Sequence, residues 1–191
     1  MNKINTEIAG LFIIESDCFG DNRGWFMETY NEEKFYELGI DTVFVQDNLS
    51  YSTTKNTFRG LHYQRAPYSQ AKLVRCIQGE IVDVVVDIRK GSPTYGKYVT
   101  CRLSQENKKM FYIPKGMAHG FLTISDEVLF QYKCDALYNK ESEGSIRYDD
   151  PIINIDFSKI ANIDELILSD KDKNAPYLEN CNANFVYEEN C

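Results

Sequence analysis

Between Thr42 and Asp135 the chain is a succession of short alternating runs, each cut off by Gly, Pro, Ser or Asn before it reaches helical length. Thr42–Gln46, Arg59–Gln64, Lys72–Cys76, Glu80–Ile88, Lys97–Leu103, Lys109–Ile113, Gly120–Ile124 and Val128–Asp135 read as strands. Short strands at such spacing indicate an all-β sandwich or barrel. One helix stands before them: Asn31 as N-cap, Glu32 and Glu33 in the first turn, Phe35 and Leu38 on one face, Gly39 as terminator. From Asp149-Asp150-Pro151 onward the pattern weakens into loops and short helices, and residues 180–191 read as a loosely held tail.

The run 80–88 constrains the packing most. Alternation puts Val82, Val84, Val86 and Ile88 on one wholly apolar face, and Ile81, Asp83, Val85 and Asp87 on the other. Two readings of the second face stand side by side. If it lines a barrel interior, Asp83 is an inward acid that needs a partner, and a histidine from a neighbouring strand is a natural one. Otherwise Asp83 and Asp87 face water on a half-exposed strand.

The 191 residues suffice for one domain with a real core (1–191, core about 5–178), and no repeats or low-complexity tracts mark a second. A net charge of -8 argues against nucleic acid as a partner; an anionic ligand would need a local basic cluster. No run of signal-peptide or membrane-span length is present, so a cytoplasmic protein is expected. The scattered cysteines, with no Cys-x-x-Cys pair, then read as reduced thiols.

The chain holds only two histidines, His62 in Arg59-Gly60-Leu61-His62-Tyr63-Gln64 and His119 in Ile113–Phe121. These are the natural candidates for proton transfer near neutrality. Pro114-x-Gly116-x-x-His119 is similar to the second motif of the cupins, small double-sheet barrels that often bind a metal. His62-Tyr63-Gln64 lacks the second histidine of the usual cupin pair, so no metal site and no metal-dependent oxygenase is expected. Arg23, Arg59 and Lys72 each read alone as solvated charges. Arg23 and Arg59 are both followed by Gly and lie near aromatics, which suits a phosphate and a nucleobase. Simple alternation sets Arg59 and His62 on opposite faces, so a bulge at Gly60 is required for both to reach one pocket. Tyr132 shares a strand face with Phe130 and Cys134 and reads first as a core residue.

Phe19-Gly20-Asp21-x-Arg23-Gly24-x-Phe26-x-Glu28, Val45-Gln46-Asp47-Asn48, Arg59-Gly60-Leu61-His62-x-Gln64, Lys72–Cys76, Val84–Gly96 and Ile113–Phe121 closely resemble the dTDP-4-dehydrorhamnose 3,5-epimerases. Tyr132-Lys133, Ser142-x-Gly144 and Leu168-Ser169-x-Lys171-Asp172 extend the resemblance over roughly residues 5 to 178. It implies a cupin-like double-stranded β-helix (jelly roll), a homodimer and no metal or organic cofactor. The implied reaction inverts C3 and C5 of dTDP-4-dehydro-6-deoxy-D-glucose to give the L-rhamnose precursor of a cell-surface polysaccharide.

By the same resemblance His62 is the base, Asp172 fixes its tautomer, Tyr132 donates the proton and Lys72 stabilises the charge on O4. His119 and Asp83 form a supporting pair. Arg23 and Arg59 hold the diphosphate, Phe19 and Tyr138 flank the thymine, and Glu28, Gln46 and Asn48 bond base or sugar, some of them from the other subunit. Two alternatives remain: an epimerase inverting C3 or C5 alone, and a barrel that binds a nucleotide sugar without converting it.

Overall fold

Strand structure starts earlier than the sequence pattern predicts. The computed structural model of the protein describes residues 1–160 and 165–188. Its N-terminal part holds β1 (Asn2–Asn5), β2 (Phe12–Glu15), a hairpin of β3 (Cys18–Asp21) and β4 (Gly24–Met27), and helix α1 (Glu32–Glu37). There follow β5 (Gln46–Ser52), β6 (Phe58–Gln64), β7 (Lys72–Gln78), β8 (Glu80–Asp87), β9 (Tyr98–Ser104), β10 (Met110–Ile113), β11 (Met117–Thr123), β12 (Val128–Cys134) and β13 (Glu143–Ser145). Short helices α2 (Phe157–Ile160) and α3 (Asp170–Lys173) lie in the C-terminal segment. The helix at Asn31 is built as its sequence dictates: the Asn31 side chain accepts the Lys34 N–H at 3.1 Å, and Phe35 is fully buried.

Two antiparallel sheets face each other. One has the order β1-β2-β10-β7-β12-β5, the other β13-β6-β11-β8-β9. Val74, Cys76, Phe111, Val128 and Phe130 of the first pack against Ile81, Val85, Leu103, Met117 and Phe121 of the second. This is the expected cupin-like double sheet.

Both faces of β8 are buried, for different reasons. Ile81 and Val85 face the opposite sheet. Val84 and Val86 face outward, where Ile146, Ile153, Leu178 and Phe185 of the C-terminal segment cover them. A strand covered on both sides reads as a near-continuous apolar run. The water-facing reading of Asp83 and Asp87 is therefore overturned, since both are fully buried. Asp87 accepts hydrogen bonds from Arg89, Ser92 and Thr94. Burial pushes its carboxyl up, but those bonds outweigh it and hold the group below the ordinary range.

Two further expectations are corrected. Residues 42–45 are not strand: Phe44 turns into an aromatic cluster with Tyr30 and Phe35, and pairing with β12 becomes regular only at Gln46. The tail is not loose through residue 188: Asn182 accepts a hydrogen bond from Tyr63, Phe185 is buried, and Val186 bridges to Lys90. Residues 161–164 and 189–191 lie outside the described part.

Candidate active site

The strand register explains how Arg59 and His62 come to one side. His119 of β11 pairs with His62, yet Phe121 pairs with Arg59, so β6 carries one residue more than β11 over this stretch. This is the bulge the sequence requires. Gly60 has φ +136°, and a Cβ there would stand 2.5 Å from the Gly120 Cα, so the crossing admits only glycine. Arg59 is steadied by Ser52 Oγ at 3.1 Å and the Tyr51 carbonyl at 3.2 Å.

A cavity of about 510 Å³ opens between the sheets, lined by Arg59, His62, Lys72, His119, Tyr132 and Asp172, with Phe121 and Phe130 as apolar wall. A second lobe of about 450 Å³ shares His62, Lys72 and Tyr132 and adds Gln46, Asn48, Tyr138 and Glu143. His62 and His119 stand on one sheet, Lys72 and Tyr132 on the other. The imidazoles and the phenol thus approach the cavity from opposite walls.

Each group has a distinct electrostatic setting. His62 Nε2 lies 2.6 Å from Asp172 Oδ1. Asp172 is buried on α3, whose N-cap Ser169 accepts the Asp172 N–H at 3.1 Å. Burial alone would raise the Asp172 carboxyl, but the hydrogen bond and charge of His62 hold it below the usual carboxylate range. It therefore stays ionised beside the imidazole.

Burial draws the Lys72 ammonium below its ordinary value, with Cys134 and Asp83 pulling the other way. Among the described residues the Lys72 ammonium makes no hydrogen bond, and its Nζ sits 5.9 Å from the centre of the Tyr132 ring. Burial also raises the Tyr132 phenol, so it keeps its proton at neutral pH.

His119 Nε2 lies 2.8 Å from Asp83 Oδ2, and its ring stacks on Phe130 with centroids 6.1 Å apart. Burial pushes the Asp83 carboxyl up and the His119 imidazole down, each against the pull of its partner. Both shifts favour an uncharged pair.

Phe19, Arg23 and Glu28 do not join this constellation. Phe19 and Arg23 lie on the β3–β4 hairpin beside a separate shallow cleft, and the Arg23 side chain is 86% exposed. Glu28 pairs with Lys34 at 2.7 Å. Among the described residues no cluster of three or more His, Cys, Asp or Glu side chains is placed to hold a metal ion.

Sequence reasoning gave no role to Lys171 or Glu143. They form an ion pair at 2.6 Å that joins α3 to β13 across the junction of the two lobes. Both lie inside motifs that carry the resemblance, Ser169-x-Lys171-Asp172 and Ser142-x-Gly144, which was the available signal.

The antiparallel double-sheet barrel places the protein in the cupin-like class. Within it, the chain belongs to the dTDP-4-dehydrorhamnose 3,5-epimerase family, whose model matches residues 5–180. The enzyme of that name from Methanothermobacter thermautotrophicus is 51% identical over 178 residues, 93% of this chain and 95% of the relative. The crystal structure of the Elizabethkingia anophelis dTDP-4-dehydrorhamnose 3,5-epimerase superposes with a TM-score of 0.87 at 48% identity, covering 94% and 97% of the two chains. The dTDP-6-deoxy-D-glucose-3,5-epimerase of Legionella pneumophila, solved with dTDP-4-keto-L-rhamnose, gives 0.87 at 48% identity over 94% and 93%.

Proposed function

We propose that the protein inverts C3 and C5 of dTDP-4-dehydro-6-deoxy-D-glucose, yielding dTDP-4-dehydro-L-rhamnose. The observation that carries this reading is the meeting of a carboxylate-backed histidine, a protonated phenol and a buried ammonium in one cavity between facing sheets. The Legionella relative, with its dTDP-4-keto-L-rhamnose, supports the substrate class.

The chemistry needs little else. The C4 ketone acidifies the hydrogens on C3 and C5, so each inversion is removal of a proton from one face and return to the other. His62 takes the proton. Its Nε2 is bonded to Asp172, which leaves Nδ1 to act as the base and keeps a negative charge beside the imidazolium that forms. Negative charge collects on O4 in the enolate, and the Lys72 ammonium, disfavoured by burial, is best compensated at that moment. Tyr132, on the opposite wall, returns a proton to the other face. His119 and Asp83 support the wall behind the sugar.

Arg59 in the first lobe and Gln46, Asn48 and Tyr138 in the second face the nucleotide diphosphate and base. Phe19, Arg23 and Glu28 serve the pocket of a second copy, in a homodimer whose β3–β4 hairpins exchange. Exposed Phe19, Trp25 and Phe26 on that hairpin support this. The enzyme works in the cytoplasm as a single domain, with no organic cofactor and no resident metal.

Proton NMR of the product after incubation with dTDP-4-dehydro-6-deoxy-D-glucose tests the reading. Inversion at both centres supports it, inversion at one assigns a single-centre epimerase, and unaltered substrate leaves a binding protein. For the dimer, mixing Arg23→Ala with His62→Asn should restore activity that neither variant has alone. Absence of complementation after subunit exchange contradicts a shared pocket.

A further inference from the structure

Residues 135–139, between β12 and the turn at Lys140–Ser142, form neither strand nor helix, so their main-chain groups need partners outside the regular ladders. Three glutamine side chains supply them. Gln70 donates to the Ala136 carbonyl at 2.8 Å. Gln64 donates to the Leu137 carbonyl at 3.1 Å and to the Tyr68 carbonyl, while its own oxygen accepts the Asn139 N–H at 2.8 Å. Gln46 accepts the Tyr138 N–H at 2.9 Å. Every residue from 136 to 139 is thus gripped by its backbone, while Tyr138 stays 57% exposed at the second lobe.

Gln64 is central to this grip. It is 5% exposed, and it engages both hydrogens of its amide nitrogen as well as its oxygen. It bonds the loop on both sides of Tyr138. It also lies two residues after His62 on β6, so strand alternation sets the two side chains on the same face. The strand that carries the base therefore fixes where the aromatic ring stands relative to it. Ordering a long side chain such as glutamine is entropically unfavourable, and waters alone could solvate an exposed loop. What the glutamines add is a single position for the ring before ligand arrives.

We infer that Gln64 is a positioning residue, which holds Tyr138 preformed for stacking on the nucleotide base and so sets substrate affinity rather than the chemical step. The inference rests on the reading above that Tyr138 flanks the base.

The test is Gln64→Met, close in volume and without an amide, measured alone and in a Tyr138→Ala background. dTDP titration gives Kd, and the epimerisation rate gives kcat and KM. Loss of a preformed contact should raise Kd and KM about tenfold while kcat stays within about threefold. In the Tyr138→Ala background the same substitution should change Kd by less than about twofold, because its effect runs through that ring. An undiminished effect in that background overturns the inference, as does a fall in kcat matching the rise in KM. If Tyr138→Ala weakens dTDP binding and Gln64→Met does not, this inference alone fails. If Tyr138→Ala leaves dTDP binding unchanged, the stacking role fails and takes the inference with it. Should Gln64→Met not fold, Gln70→Met, which loosens the same loop at Ala136, must give a smaller shift of the same kind.

Discussion

Replacing Asp172 by Asn removes one negative charge from a buried site and leaves the shape nearly unchanged. The carboxylate oxygen is 2.6 Å from His62 Nε2, which puts the centres of charge about 4 Å apart once the imidazolium forms. At an effective dielectric of about 20 their attraction is about 4 kcal/mol. The His62 side chain is 34% exposed, so solvent screens part of this, leaving roughly 2–4 kcal/mol. At a factor of ten per 1.4 kcal/mol, proton abstraction should slow by roughly thirtyfold to a thousandfold. An asparagine amide can also present its nitrogen to the imidazole and favour the wrong tautomer, which moves the expectation toward the upper figure. The assay is the initial rate at which the C5 proton signal disappears in deuterated water. Affinity for dTDP should stay within about twofold, since the carboxylate is bonded to His62 and to none of the groups assigned to the diphosphate or base. A loss of less than about threefold, or an equal loss in dTDP affinity, would refute the assignment of Asp172 to the base.

Lys72→Met should lower kcat by roughly a hundredfold or more, because the enolate oxygen loses its cation. The same variant should melt at the same temperature or higher by calorimetry, because burial disfavours the ammonium it removes; a large fall in melting temperature would contradict this. Tyr132→Phe should still exchange solvent deuterium into recovered substrate while forming the epimer roughly a hundredfold more slowly, since the base survives and the opposite donor is lost. If exchange and epimerisation vanish together, Tyr132 is not confined to proton return. Asp87 has a depressed pKa, so its contribution to stability is present above the ordinary carboxylate pKa and is lost as pH falls through its own. Asp87→Asn should therefore lower the melting temperature at neutral pH, with the gap to the parent closing in acid; a gap independent of pH would contradict the charged network.

Much of the core was readable because periodicity reports burial directly. The run from Glu80 to Ile88 announced one buried face and left the Asp83 face open; the structure covers both, with the opposite sheet on one side and the C-terminal segment on the other. The N-terminal strands were not readable. Asn2–Asn5 and Cys18–Asp21 carry almost no apolar alternation, being an edge strand and an exposed hairpin. The strand expected over Thr42–Gln46 was wrong for residues 42–45 because Val43 and Phe44 have high strand propensity, and tertiary contacts of Phe44 override it. At the site, the need for a bulge at Gly60 followed from alternation alone, and the register bears it out. Asp172 was different. Nothing local in Lys171-Asp172-Lys173 distinguishes it from a solvated charge, and only resemblance pointed to it. Its burial depends on α3 folding against β6, a long-range contact that periodicity does not encode. The glutamine grip on residues 136–139 was hidden for the same reason.

The most direct measurement compares the parent protein and His62→Asn, each with dTDP-4-dehydro-6-deoxy-D-glucose in deuterated water, by NMR and mass. The parent should incorporate solvent deuterium at C3 and C5 and release the L-rhamno product. His62→Asn should incorporate none at either carbon while binding dTDP as before. Deuterium entering the sugar at an undiminished rate without that imidazole would contradict the account.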